Sequence, residues 1–381
     1  MSNTGTLEIA DLSLTLSRYP DNHDKSLQAW NGADLQLLQY AFEHPKPVAR
    51  VLLINDEFGA LACALAAHPA FAQSEIVSIS DSEIAKRALE RNLAANELPT
   101  QRIQFADSLQ PYPATELVLM RLPKNLAFFE QQLICLQQVL QPGQKLVVGA
   151  MLKALVKSAF GLLEKHIGEV STSLAQKKAR LVFAEYQDMQ SEQPYPLNWQ
   201  LSEHNWQLSD HANVFCLGKF DIGTRFLLDN FPQEPVDSVI DLGCGNGLLG
   251  LAALKHYPDA EVHFVDESFM AVASARNNVA NNYPQALERC HFSSDNCLEQ
   301  QASDSAQLVL CNPPFHQQNT VSTHIAEQMF KDAKRCLKKA GKLVVVANRH
   351  LPYAPLLKRL FGGFQVFATN NKFVVLVANK R

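Results

Sequence analysis

The chain has 381 residues, 47% of them hydrophobic, eight cysteines and a formal net charge of −4. That length suits two domains better than one. No apolar run reaches the roughly 18–20 residues that cross a bilayer, residues 1–14 lack the charged start and apolar core of a secretory signal, and cysteines scattered without a CxxC pair argue against a disulfide framework or a zinc site and suit a reducing cytoplasm.

In chain order, residues 51–66 read as a buried strand, a turn and a helix, and 75–97 as strand, acidic turn and helix. Residues 116–124 follow as a strand with its exit loop, 143–153 as another strand and 172–187 as a closing hairpin. A polar stretch, 188–198, carries Pro194 and Pro196 and reads as a linker between domains 1–190 and 191–381. The second domain then repeats the order. Residues 239–254 are strand, glycine-rich turn and helix; 261–282 are strand, acidic turn and helix; 307–315 are a strand and its exit loop. A helix over 327–341, a strand over 342–350 and two β-rich runs around an Asn370-Asn371 turn complete it. Alternation of this length predicts an α/β protein with two tandem Rossmann-like domains, each a parallel doubly wound sheet ending in an antiparallel hairpin.

The two copies differ where chemistry would sit. Aligning Gly59 with Gly247 sets Asn55 and Glu57 opposite Gly243 and Gly245, and Arg121-Leu122-Pro123-Lys124 opposite Asn312-Pro313-Pro314-Phe315. The first domain therefore reads as a degenerate copy, kept for structural support or substrate binding.

In the second domain, Asp241-Leu242-Gly243-Cys244-Gly245-Asn246-Gly247 follows a strand and opens a helix. Glycines there permit unusual backbone angles and close approach to a ligand. The spacing is not the dinucleotide fingerprint G-x-G-x-x-G. A second acid, Asp266, ends the next strand where a ribose-binding carboxylate is expected in such folds, and Asp295 precedes the next strand region. Asp266 also reads as a helix N-cap ahead of Glu267 and Ser268, and Asp295 as a turn residue. On these residues the sequence resembles the class I S-adenosylmethionine-dependent methyltransferases. The resemblance implies that Asp241 and Gly243 hold the methionine part of the cofactor, Asp266 the ribose hydroxyls and Asp295 the adenine amine. Cys244, Gly245, Asn246, Gly247, Glu267, Ser268, Asn296, Phe215 and Asn312 complete the candidate cofactor set, with no metal.

Asn312-Pro313-Pro314-Phe315 exits a strand at its carboxyl end, where open α/β sheets bind ligands. The residue types suit methylation of a conjugated amine. An Asn side-chain oxygen and a rigid carbonyl can accept the two N–H bonds and aim the lone pair at the methyl group, the prolines fix the loop, and Phe315 offers a face for a flipped base. The motif by itself leaves adenine amines, guanine amines and a glutamine amide open. With Phe315-His316 in place of a Tyr, and with residues 27–38, 211–228, 312–318 and 368–376, the chain resembles the guanine exocyclic-amine methyltransferases of bacterial ribosomal RNA, closer to the large-subunit than to the small-subunit type. That resemblance implies 23S ribosomal RNA as substrate, protein-free or early in assembly, with no membrane and no obligate protein partner.

The charge is lopsided. Residues 331–381 hold 12 basic residues and one acid, +11, which leaves −15 for the other 330, a mild pointer to an anionic ligand. Candidate RNA contacts are Lys177, Lys178 and Arg180 in the first domain, and His316, Arg349, Lys358, Arg359, Lys372, Lys380 and Arg381 in the second, expected to share one face.

Overall fold

A computed structural model describes all residues except 1–3, 22–23, 25, 44–46 and 315–319, and omits the side chains of 320–323. Phe315 and His316 thus lie outside the described residues. The chain divides into two compact units, Met1–Pro194 and Tyr195–Arg381.

The first unit contains β1 (Thr4–Ile9), β2 (Leu12–Ser17), α1 (Gly32–Glu43), β3 (Arg50–Ile54), α2 (Ala60–Ala67), β4 (Glu75–Ser80), α3 (Glu83–Ala95), β5 (Ile103–Asp107), β6 (Leu117–Arg121), α4 (Leu126–Leu136), β7 (Lys145–Met151), α5 (Lys157–His166), β8 (Val170–Thr172) and β9 (Ala179–Glu185). The second contains β10 (Leu197–Leu201), β11 (Trp206–Asp210), α6 (Ile222–Asp229), β12 (Ser238–Leu242), α7 (Leu248–His256), β13 (Glu261–Asp266), α8 (Phe269–Asn282), β14 (Cys290–Ser294), β15 (Ala306–Cys311), α9 (Thr320–Cys336), β16 (Leu337–Asn348), α10 (Tyr353–Phe361), β17 (Gln365–Thr369) and β18 (Phe373–Asn379).

Each unit is built on a seven-stranded sheet of the same plan. The strand orders are β5-β4-β3-β6-β7-β9-β8 and β14-β13-β12-β15-β16-β18-β17. Five strands of each run parallel and the last two form an antiparallel hairpin. The central strands are buried on both faces, so they read as unbroken apolar runs. Along β15, Leu308 and Leu310 face one hydrophobic cluster while Val309 and Cys311 face another. Along β3, Val51 and Leu53 alternate with Leu52 and Ile54 in the same way. None of the described helices is long and apolar enough to cross a membrane.

Two features depart from the sequence reading. Residues 337–341 are not the end of a helix: α9 stops at Cys336 and Leu337 already pairs with Ala306. A register shift between Ala306 and Leu308, with Ala340 in the left-handed region at φ 64°, lets β16 begin early. Each unit also opens with a two-stranded hairpin, β1–β2 and β10–β11, that the repeat pattern did not announce.

In the second unit the strand order reverses between β12 and β15. The loops leaving these two strands flank the switch point, where ligands bind in open α/β sheets.

Candidate active site

The glycine loop leaves β12 with Gly243, Gly245 and Gly247 all in the left-handed region, at φ 69°, 53° and 83°. Gly247 is also a packing requirement, because a Cβ there would lie 2.9 Å from the Ala275 methyl. A Cβ on Gly245 would meet no heavy atom within 4 Å, so that position is open on its cavity side. The Asp266 carboxylate accepts from the Gly245 amide at 2.9 Å and from the Ser268 amide at 3.1 Å. The helix cap is Ser268, whose hydroxyl accepts from the Ala271 amide, so Asp266 braces the loop rather than capping α8. Burial pushes its carboxyl above the usual range, against the bonds from Gly245, Ser268 and Glu267.

Asp241 is fully buried. Its Oδ2 accepts from the Gly250 amide at 2.8 Å, while Oδ1 has no partner among the described residues. Burial, opposed by the Gly250 bond and reinforced by Asp266, pushes its carboxyl up to about 8. Cys244 is buried and burial pushes its thiol far up, so it serves as a small apolar residue. Asn246 donates to the Asp210 carboxylate at 3.2 Å. The same Asp210 accepts from the Gly218 amide at 3.1 Å and thereby ties the loop carrying Phe215 to the glycine loop. Asp210 was not found from the sequence, for nothing there says that β11 abuts the glycine loop.

These elements enclose a cavity of about 320 Å³, lined by Phe215, Cys216, Lys219, Asp221, Thr224, Gly243, Cys244, Gly245, Asn246, Leu248, Leu249, Asp266, Asn312, Pro313 and Pro314. Phe215 is 62% exposed at this cavity and is no core aromatic. Asn312 leaves β15 and donates through Nδ2 to Asp221 Oδ2 at 3.1 Å and to Thr224 Oγ1 at 2.9 Å. A carboxylate only accepts, so this contact fixes which end of the amide is nitrogen. The buried Oδ1 then has no partner among the described residues.

Asp241, Gly247, Glu267, Ser268, Asp295 and Asn296 do not line this cavity. Asp295 is buried beyond β14, where its Oδ2 accepts from the Gln300 amide at 2.8 Å and its own amide donates to the Asp266 carbonyl. A concave, mostly apolar wall that carries Lys219, Asp221 and Asp266, left-handed glycines and the orphaned Asn312 oxygen fit an adenosyl amino acid.

The basic candidates differ in their surroundings. Lys177 and Lys178 form an exposed tight turn, both at positive φ. Arg180 is half-buried, and Arg349 and Lys358 are exposed. Arg359 pairs with Glu327 at 2.9 Å, and Lys372 lies over the Phe373 ring. Lys380 is not available as a contact, because its ammonium donates to Asp304 and to the carbonyls of Arg335 and Leu337.

Comparisons with known proteins place the chain in a family. A family model described as the RLMG N-terminal domain matches residues 4–188, and one described as the methyltransferase small domain matches 205–377. The ribosomal RNA large subunit methyltransferase G of Aeromonas salmonicida is 47% identical over 98% of this chain and 99% of its own. That of Erwinia tasmaniensis is 46% identical over 97% and 98%. The chain belongs to the ribosomal RNA large subunit methyltransferase G family. It is an S-adenosylmethionine-dependent methyltransferase of the Rossmann-like class, with two tandem domains. A solved structure of a T. thermophilus 16S rRNA N2-guanine methyltransferase, in complex with AdoMet and guanosine, shares the fold over 100% of both chains, with a TM-score of 0.76 at 20% identity.

Proposed function

We propose that the Tyr195–Arg381 unit transfers a methyl group from S-adenosylmethionine to the exocyclic N2 amine of a guanine in 23S ribosomal RNA, and that the first unit supports the fold and contributes to RNA binding. The observation that carries this reading is the Asn312 amide, whose nitrogen is consumed by Asp221 and Thr224 and whose buried oxygen is left to accept. An unsatisfied buried acceptor costs about 1–3 kcal/mol, and a substrate N–H would recover it.

In this reading Asp241, the Gly243–Gly247 loop and Asp266 hold the cofactor, with Phe215 closing the cavity. When bound, the cofactor supplies an electrophilic methyl group. Asn312 Oδ1 and the Pro313 carbonyl accept the two N–H bonds of the guanine amine, which turns its lone pair out of conjugation and toward the methyl. Pro313 and Pro314 keep the loop stiff and offer no competing N–H. No strong base is needed, because the nitrogen becomes acidic as it is alkylated and releases its surplus proton to solvent, leaving S-adenosylhomocysteine as the second product. The names of the relatives support the large-subunit RNA as acceptor. A reducing cytoplasm and RNA that is protein-free or early in assembly complete the proposal.

The test is incubation of the purified protein with methyl-labelled cofactor and unmodified ribosomal RNA, then nuclease or protease digestion. Label released by nuclease and mapped to a guanine N2 in the 23S fraction is the expected result. Label in the 16S fraction would point to the small-subunit activity, and label released by protease would reject the RNA reading.

A further inference from the structure

Two cavity residues, Asp221 and Thr224, belong to neither sequence motif. Asp221 is the N-cap of α6: its Oδ2 accepts from the Thr224 amide at 2.7 Å. The same Oδ2 accepts from Asn312 Nδ2, and the Thr224 hydroxyl accepts the other Nδ2 proton. One turn of helix, capped by a good N-cap residue, therefore presents two acceptors to the Asn312 amide nitrogen.

An unrestrained Asn amide turns over easily, because its two ends have nearly the same shape. Turned over, Asn312 would offer N–H bonds to an amine that itself donates, and the acceptor would be lost. We propose that Asp221 and Thr224 are positioning residues that lock the Asn312 amide with its oxygen toward the methyl acceptor. This rests on the reading of Asn312 as the group that accepts from the substrate amine. The lock is built into helix α6, so the element that caps itself with Asp221 also sets the polarity of the transfer site. Misorientation of such a group costs roughly 10- to 100-fold in rate.

Thr224→Val keeps the shape and removes the acceptor. Asp221→Asn keeps an N-cap of equal quality but can donate to Asn312 Oδ1 and so stabilise the turned-over amide. Each should lower kcat roughly 10- to 100-fold, with a melting temperature close to wild type. Thr224→Ser, which keeps the hydroxyl, should regain most of the rate lost in Thr224→Val. Wild-type kcat in Thr224→Val, or a Thr224→Ser variant as slow as Thr224→Val, would overturn the proposal.

A second readout needs no acceptor RNA: hydrogen exchange of the Asn312 side-chain amide, identified in ¹⁵N-asparagine-labelled protein by its loss in Asn312→Ala. The two protons should be protected in the wild type and exchange quickly in Thr224→Val. Fast exchange in the wild type defeats the lock. If the wild type methylates no guanine while these protons are protected, the ribosomal RNA reading falls and the lock stands.

Discussion

The two halves of the chain share a scaffold and differ in the chemistry mounted on it. In both, the helix after the second sheet strand starts at a serine cap, Ser82 or Ser268. Ten residues on, a buried Asn ties that helix to the opening hairpin and to the loop after the first strand. Asn92 accepts from the Ser17 amide and donates to the Ser17 and Phe58 carbonyls. Asn278 accepts from the Ser209 amide and donates to the Asn246 carbonyl. Four residues later, Asn96 and Asn282 clasp Thr15 and Gln207 through both their backbone groups. By contrast, the sheet registers put Leu53, Ser80 and Ser108 where the second half has Asp241, Asp266 and Asp295. They also put Arg121 where it has Asn312. Arg121 pairs with Asp34 at 2.9 Å, and Asp34, third in α1, stands where α6 carries Thr224. Even the Asp210–Asn246 bond has a replacement, Arg18 over the Phe58 ring. The comparison teaches that the two halves share the hydrogen bonds that hold the fold, while the positions of Asp241, Asp266, Asp295 and Asn312 carry leucine, serines and an ion-paired arginine in the first half.

The largest expected effect breaks the pairing of Asn312 with Arg121. Asn312→Ala should lower kcat roughly 10²–10³-fold, the usual loss for one well-placed polar group at a transfer site, with the melting temperature little changed. Arg121→Ala should do the reverse. It strands the buried Asp34 and should cost about 3–5 kcal/mol in urea unfolding of the first half, while the folded protein transfers methyl at the normal rate. Arg121→Met with Asp34→Leu, which removes both charges, should restore most of that stability.

Next in size is a pH effect that each half shows for its own buried acid. Burial pushes Asp56 up to about 7 and Asp241 up to about 8. An acid raised on folding keeps its proton in the native state after the unfolded chain has lost it. Its stabilising contribution is therefore whole below about pH 4 and drains away as pH rises to the folded value, at about 1.4 kcal/mol per unit and group. Urea unfolding of the cofactor-free protein should weaken between pH 5 and 8 and level off above that; Asp56→Asn and Asp241→Asn should each flatten the slope. A curve that strengthens over this range would show that both carboxyls are already ionised.

Much of this was legible in the sequence, for physical reasons. Buried parallel strands are uninterrupted apolar runs, and the glycines of the loop at Gly243, Gly245 and Gly247 occupy backbone angles that few other residues tolerate. The opening hairpins were not legible, because β1 and β10 are short and mostly exposed and lack a strong apolar alternation. Asp210, Asp221 and Thr224 were missed because each acts through a contact far along the chain. The offset of ten residues from Ser82 to Asn92 and from Ser268 to Asn278 was a readable signal. At Lys380 the sequence did not show that the ammonium donates to Asp304 and to the Arg335 and Leu337 carbonyls.

Asn92→Ala and Asn278→Ala sharpen the comparison at smaller scale. Each orphans buried backbone groups and should cost about 1–3 kcal/mol, but only Asn278→Ala should also weaken cofactor binding, through the Asn246 carbonyl it releases. The smallest effect is expected at the surface. Reversing the charge of Lys177 and Lys178 should weaken RNA binding several-fold at low salt and reduce its salt dependence by about two charges; unchanged affinity would remove that turn from the RNA surface.

The account's central claim is that one half of the chain holds the cofactor and the other no longer can. Calorimetric titration of the full chain with S-adenosylmethionine tests it most directly. One site per chain, abolished by Asp266→Ala and retained in Arg121→Ala, is the predicted result; two sites, or a site that survives Asp266→Ala and disappears with Arg121→Ala, would contradict it.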